Sequence, residues 1–179
     1  MAPFDASASW SAAPAEPDGF ADRFKDALAN LASGVAIISC WDDDAPRGLL
    51  VSSITGLSVD PPRFLFCVRK EAASHEALLR AETCGVAILS SGDHEEALRF
   101  SSSARASERF APSRWDLDHQ DAPAYLGGLS TATCRIDSRI DATTHSMFVV
   151  SAIDIVVAPS TNPLIAFARG LHGLEAVAA

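Results

Sequence analysis

From residue 34 onward the chain is dominated by short apolar runs separated by polar turns. Residues 34–41 (GVAIISCW), 47–54 (RGLLVSSI), 63–69 (RFLFCVR) and 85–90 (GVAILS) have strand length and are rich in β-branched and aromatic side chains. Residues 129–136, 146–157 and 163–169 continue the pattern. Asp42 to Asp44, then Ala45 and Pro46, make a polar turn. Asp60-Pro61-Pro62 interrupts the chain, because proline lacks an N–H and restricts its predecessor. Helical spacing is scarcer. Phe20, Phe24, Leu28 and Leu31 recur on one helical face and predict a helix over about residues 20–33, with Asp18 or Asp22 at its start and Gly34 as its stop. Ser74 is placed to cap a short helix over 76–81 whose buried side is Leu78 and Leu79. Asp93 with Glu96 reads as a capping box that opens a helix through Phe100. Residues 101–125 are polar, contain Pro112 and Pro123, and show no period; a connection of that length is usually functional or mobile. The pattern as a whole predicts a mainly β protein, a Greek-key split barrel with a few short helices.

Length and charge narrow the function. A chain of 179 residues is one compact domain with a tail: residues 1–18, rich in Ala, Ser and Pro, precede a domain over 19–179. The net charge of −9 disfavours binding to the phosphate backbone of nucleic acid and to anionic membrane surfaces. No apolar run reaches the roughly 20 residues of a membrane helix, and the N-terminus has no secretory pattern. Cys40, Cys67, Cys84 and Cys134 form no Cys-x-x-Cys pair and read as reduced thiols of a cytoplasmic protein, with no metal site.

Three places carry candidate chemistry. The segment GLLVSSIT at 48–55 is a strand ending in consecutive hydroxyls, able to offer N–H and O–H donors to an anion or a heterocycle edge. Arg69 and Lys70 precede Ser74 at a helix start, a setting that favours phosphate. His145 stands at the entrance of an apolar strand, where it can donate a proton or a hydrogen bond near neutral pH. Alone, each also has a plainer reading: half-exposed serines on an edge strand, an ordinary solvated helix start, and a surface turn histidine.

Taken in order, however, the segments resemble the flavin reductase family, the small NAD(P)H:flavin oxidoreductases that serve two-component flavin-dependent monooxygenases. The resemblance runs from about Phe20 to Leu174. It is carried by Leu31-Ala32-Ser33-Gly34-Val35, by Gly48-Leu49-Leu50-Val51-Ser52-Ser53 ahead of Leu57-Ser58-Val59-Asp60-Pro61-Pro62, and by Gly85-Val86-Ala87-Ile88-Leu89. Glu108-Arg109-Phe110 before Trp115, His145 before a Phe-containing strand, and Pro163-Leu164 complete it. The resemblance implies a split-barrel homodimer with each flavin near the subunit interface. It implies that Leu50, Val51, Ser52, Ser53 and Ile54 lie along the flavin ring, and that Val68, Arg69, Lys70 and Ser74 surround its phosphate. Phe100 and Arg109 match positions that reach the flavin, and His145 matches the histidine near the nicotinamide or the flavin edge. The implied reaction is reduction of FMN or FAD by NADH or NADPH, with reduced flavin passed transiently to a partner monooxygenase.

The chain departs from the family pattern at several polar positions. Leu50 replaces a threonine, Ala87 an asparagine, and Thr144 the aspartate that precedes the histidine. Ala166 and His172 stand where the family has tyrosines, and His172 is a candidate partly buried polar ring in place of one. Each lost hydrogen bond is worth about 1 kcal/mol. These changes keep two other readings open: a flavin enzyme acting on another substrate, and a relative that has lost hydride transfer.

Overall fold

The run at residues 34–41 becomes the hub of the fold because both of its faces are apolar. It forms β1 (Ser33–Gly34) and β2 (Ala36–Asp42) in a computed structural model that describes residues 18–159 and 162–174. The expected tail up to residue 17 lies outside the described residues. β2 pairs on one side with β3 (Ala45–Val51) and on the other with β6 (Thr83–Ile88). β6 then pairs with β9 (Ser130–Ala142), β9 with β10 (His145–Val157), β10 with β5 (Arg63–Arg69), and β5 with β4 (Thr55–Ser58). All of these ladders are antiparallel. The seven-stranded sheet runs β3-β2-β6-β9-β10-β5-β4, and no ladder joins its two ends among the described residues. β3 and β4 are consecutive in sequence, so the opening falls at residues 52–54. The expected mainly β architecture is present, with its split at the hydroxyl-bearing strand end.

The inner face of this sheet holds one apolar cluster. Ala36, Ile38 and Cys40 of β2 meet Phe66, Val68, Phe148 and Val150, with Ala77 and Leu78 of α2 (His75–Arg80). Phe66 and Phe148 are register partners and stack with centroids 5.3 Å apart. Val35 and Ile37 point the other way, into a second cluster with Leu89, Phe100, Trp115, Tyr125 and Leu164. That cluster is covered by α3 (His94–Ser101), by the small hairpin of β7 (Trp115–Asp116) and β8 (Ala124–Tyr125), and by the sheet β1-β11-β12. β11 is Leu164–Phe167 and β12 is Gly170–Gly173.

Several local expectations are corrected. α1 spans only Phe20–Ala29; Gly34 does not stop it but pairs in β1 with Ile165. Its apolar side is exposed among the described residues: Phe24 is 55% and Leu28 53% exposed, as is Leu31 just beyond it. The capping box is Ser90 with Asp93, which opens a 3₁₀ turn, Ser91–Asp93; Glu96 is buried instead. Ser74 does not cap α2 through its side chain. The stretch 101–125 is structured, with a 3₁₀ segment at Ser103–Glu108 and the β7–β8 hairpin. β4 and β12 were not legible as strands.

Candidate functional site

Two adjoining cavities open at the split. The smaller, about 580 Å³, lies between the β3 end, β5, the loop to α2 and the Ser103–Glu108 segment. Leu50, Val51, Ser52, Ser53, Val68, Arg69, Ser74, Phe100, Arg109 and His145 all line it, so the fold brings together nearly every residue singled out from sequence. Two are not among them. Ile54 packs against the inner apolar cluster. Lys70 lines a neighbouring pocket that shares Arg69, Glu71 and His145 with the cleft, and it is held 2.7 Å from the Asp141 carboxylate, which makes it a support of the β9–β10 turn.

The glycine at position 48 is the structural centre of this cleft. A Cβ there would come within 2.9 Å of the Ile38 carbonyl and of the Phe100 ring. Its carbonyl accepts hydrogen bonds from the buried Ser74 hydroxyl at 2.9 Å and from Arg109 Nη1 at 3.0 Å. The Ser74 hydroxyl is therefore spent on the protein rather than free for a ligand. Arg109 also donates to the carbonyls of Arg99 at 2.8 Å and Ser102 at 2.8 Å, and lies over the Phe100 ring. Burial pulls its guanidinium below the usual arginine range. Neither Arg109 nor Arg69 forms an ion pair among the described residues, although most other arginines do. In a chain of net charge −9 this leaves two uncompensated guanidinium groups facing one cleft, offset there only by Glu71. That is a setting for a phosphate.

Beneath this cleft lies a buried charged network. Glu96, only 1% exposed, accepts from Trp115 Nε1 at 2.8 Å and from Arg99 at 2.7 Å. Asp93 accepts from the Tyr125 hydroxyl at 2.7 Å and from Arg114 at 3.1 Å. Burial, reinforced by the Asp93 carboxylate, pushes the Tyr125 phenol far above its ordinary range. The network fixes α3, and with it Phe100, against the back of β3. None of this was visible in the sequence, where Glu96 looked like a helix-start residue.

The larger cavity, about 930 Å³, lies between α1, the β11–β12 hairpin and the same strand end. Its walls are mainly apolar, with Leu28, Leu31, Leu50, Leu98 and Leu171. Two of its cations are compensated: Lys25 pairs with Asp22 at 2.9 Å and Arg169 pairs with Asp26. Ala166 lines it where the family has a tyrosine, whereas His172 folds back, exposed, to the Phe167 carbonyl at 3.0 Å and is not the partly buried ring anticipated. His145 lines both cavities together with Leu50, Ser52 and Ser53. Its Nδ1 meets the Thr144 hydroxyl at 2.9 Å, which leaves Nε2 for a ligand. The threonine thus supplies an orienting contact where the family has an aspartate.

A cationic cleft and an apolar cavity thus meet at the β3 end of an open antiparallel sheet. The chain belongs to the flavin reductase family: residues 28–175 match the flavin reductase like domain. Among its relatives is the FMN reductase (NADH) RutF of Klebsiella pneumoniae (strain 342), 27% identical over 151 residues that cover 84% of this chain and 92% of the relative. Another is the reductase component of 4-nitrophenol 4-monooxygenase/4-nitrocatechol 2-monooxygenase from Rhodococcus opacus, 28% identical over 84% of this chain and 79% of the relative. Among solved structures, BorF, the flavin reductase component of a bacterial two-component tryptophan halogenase, superposes with a TM-score of 0.77 at 25% identity, covering 88% of this chain and 99% of that one. A flavin reductase domain protein from Arthrobacter sp. FB24 shares the fold at a TM-score of 0.82, covering 89% and 99%.

Proposed function

We propose that this protein catalyses the NAD(P)H-dependent reduction of FMN or FAD and delivers the reduced flavin to a partner monooxygenase. The observation that carries this reading is the meeting of two chemically different cavities at His145 and the β3 end. The smaller one fits a flavin phosphate through Arg69 and Arg109, and the backbone of Ser52 and Ser53 fits the edge of the ring. The larger, apolar one fits a nicotinamide laid beside it. A bound flavin supplies the chemistry by accepting a hydride from the reduced nicotinamide. The chain's own residues orient the two partners, exclude water through the leucines of the larger cavity, and offer donors where negative charge develops. His145 Nε2, held through Nδ1 by Thr144, is the proton or hydrogen-bond donor of the site.

The exposed apolar side of α1 supports a homodimer. Leu28 and Leu31 belong both to that side and to the wall of the larger cavity, so a second copy seated there would cover the cavity mouth. The free thiols of Cys40, Cys67, Cys84 and Cys134 suit a reducing compartment, and we assign the protein to the cytoplasm. The reading is tested by steady-state oxidation of NADH and NADPH with added FMN or FAD. Oxidation that saturates with flavin is expected. No oxidation with either nucleotide would overturn it and favour a relative that has lost hydride transfer.

A further inference from the structure

The β4–β5 ladder pairs Thr55 with Leu65 and Gly56 with Phe64. Extended by two residues, that register sets Ser53 opposite Cys67. The chain is no longer a strand at this point, since β3 ends at Val51 and β4 begins at Thr55. The pairing is made by a side chain instead. The Ser53 hydroxyl donates to the Cys67 carbonyl at 2.9 Å and accepts from the Cys67 N–H at 3.0 Å. One oxygen thus does what the N–H and C=O of an opposed residue would do in an antiparallel ladder.

This has two consequences at the split. Cys67, which leads into Val68 and Arg69 of the cleft, has both main-chain groups satisfied. The main chain of Ser52, Ser53 and Ile54 lies in no ladder and makes no main-chain hydrogen bond elsewhere among the described residues. A side-chain surrogate in the ladder is what leaves these groups available while the two strands stay together. Without the hydroxyl, either the Cys67 groups lose their partner or the Ser53 main chain moves in to replace it and withdraws from the cleft.

We propose that Ser53 is a positioning residue, a latch across the split whose hydroxyl stands in for main-chain pairing with Cys67 and so reserves the Ser52 and Ser53 main chain for the flavin ring. The latch acts on flavin affinity through the main chain rather than by touching flavin with its own hydroxyl, and it rests on the flavin reading given above. The test uses S53A together with the isosteric pair S53T and S53V, which differ only in the hydroxyl. Amide hydrogen exchange at Cys67 is followed in flavin-free protein by NMR, and FMN binding and steady-state kinetics are measured alongside. Losing two hydrogen bonds is expected to speed Cys67 exchange by about tenfold or more in S53A and S53V, and S53T is expected to match the parent. The FMN dissociation constant rises by about tenfold in the same two variants, and kcat at saturating flavin falls far less. Unchanged Cys67 exchange in S53A and S53V overturns the latch, whatever the binding result; a fall in affinity alone would mean a direct contact. Faster exchange with undiminished FMN affinity overturns the positioning role. Failure of the parent protein to bind FMN overturns the flavin reading and the affinity effect with it, and the exchange result still decides whether the latch exists.

Discussion

β2 faces two cores at once, and they are built on different principles. Its Ala36, Ile38 and Cys40 enter the inner cluster, whose members are apolar or thiol side chains, with one buried polar pair, His75 and Ser146 at 2.9 Å, beside it. Its Ile37, with Val35 just before the strand, enters the outer cluster, where apolar side chains adjoin the buried carboxylates Glu96 and Asp93. The inner cluster contributes stability without direction, because dispersion and hydrophobic burial tolerate small changes of orientation. The outer cluster fixes orientation. A buried carboxylate must keep its donors, so Trp115, Arg99, Arg114 and Tyr125 lock α3 and the β7–β8 hairpin in one arrangement. The cleft is set on the outer core, through Gly48, Phe100 and Arg109, and only secondarily on the inner one.

The sharpest way to break this contrast is to make one large lesion in each core. Glu96→Ala strands buried donors and should cost about 3–5 kcal/mol. Phe148→Ala empties the inner cluster for a comparable loss of about 3–5 kcal/mol. Denaturant unfolding should find the two similar. FMN titration at a temperature where both are folded should separate them, with affinity reduced in the Glu96 variant and near the parent value in the Phe148 variant. Equal FMN affinities would show that the outer core has no special hold on the cleft.

Gly48→Ala is the next largest. Its Cβ would meet the Ile38 carbonyl and the Phe100 ring, both at 2.9 Å. Overpacking of this kind should cost about 1–3 kcal/mol and weaken FMN binding, seen as a lower Tm and a higher Kd.

The inner cluster has its own signature in alkali. Burial pushes the Cys40 thiol up to about 12, with the Asp42 charge adding to it, and the Cys134 thiol likewise to about 12. A thiol that holds its proton more tightly folded than unfolded gives stability that is complete below its ordinary value of 9.0 and lost as pH rises towards 12. Urea titrations above pH 9.0 should lose up to about 1.4 kcal/mol per pH unit for each such thiol. A Cys40→Ala variant should flatten that slope by one thiol's share. A slope unaffected by the substitution would place the alkaline loss elsewhere.

The smallest effect belongs to Arg69, which is exposed and has no carboxylate partner among the described residues. Arg69→Ala should leave stability unchanged and raise the Kd for FMN about fivefold, as expected for one partly solvated phosphate contact. Riboflavin, which lacks the phosphate, should bind the variant and the parent equally. A parallel loss for both ligands would remove Arg69 from the phosphate site.

Much of this is legible in the amino-acid sequence. Continuous apolar runs announced most of the strands, among them the run at 34–41 that becomes the hub of the fold. The positions of Arg69, Arg109, His145 and the 50–53 strand end at the cleft followed from a motif order that is preserved where composition alone was mute. Other features depend on groups distant in sequence and could not be read locally. Glu96 followed a helix-start pattern, yet its fate was decided by Trp115 and Arg114 arriving from the next segment. Ser74 looked like a cap, but the Gly48 carbonyl lay closer to hand. Lys70 looked free for phosphate until the β9–β10 turn presented Asp141.

The sequence by itself determined where most strands form, that one strand ends in consecutive hydroxyls, and that two cations, Arg69 and Lys70, directly precede a helix start at Ser74. These are properties of neighbours along the chain, set by periodicity and side-chain chemistry. The tertiary structure alone decided which polar groups are already satisfied by the protein and which remain for a ligand. Hydrogen-bond satisfaction is a property of the whole fold, since any donor can be taken by an acceptor far away in sequence. Ser53, Ser74 and Arg109 all read as flavin contacts on paper. In the fold, the first pairs with the Cys67 main chain, the second holds the Gly48 carbonyl, and the third does the same while lining the cleft.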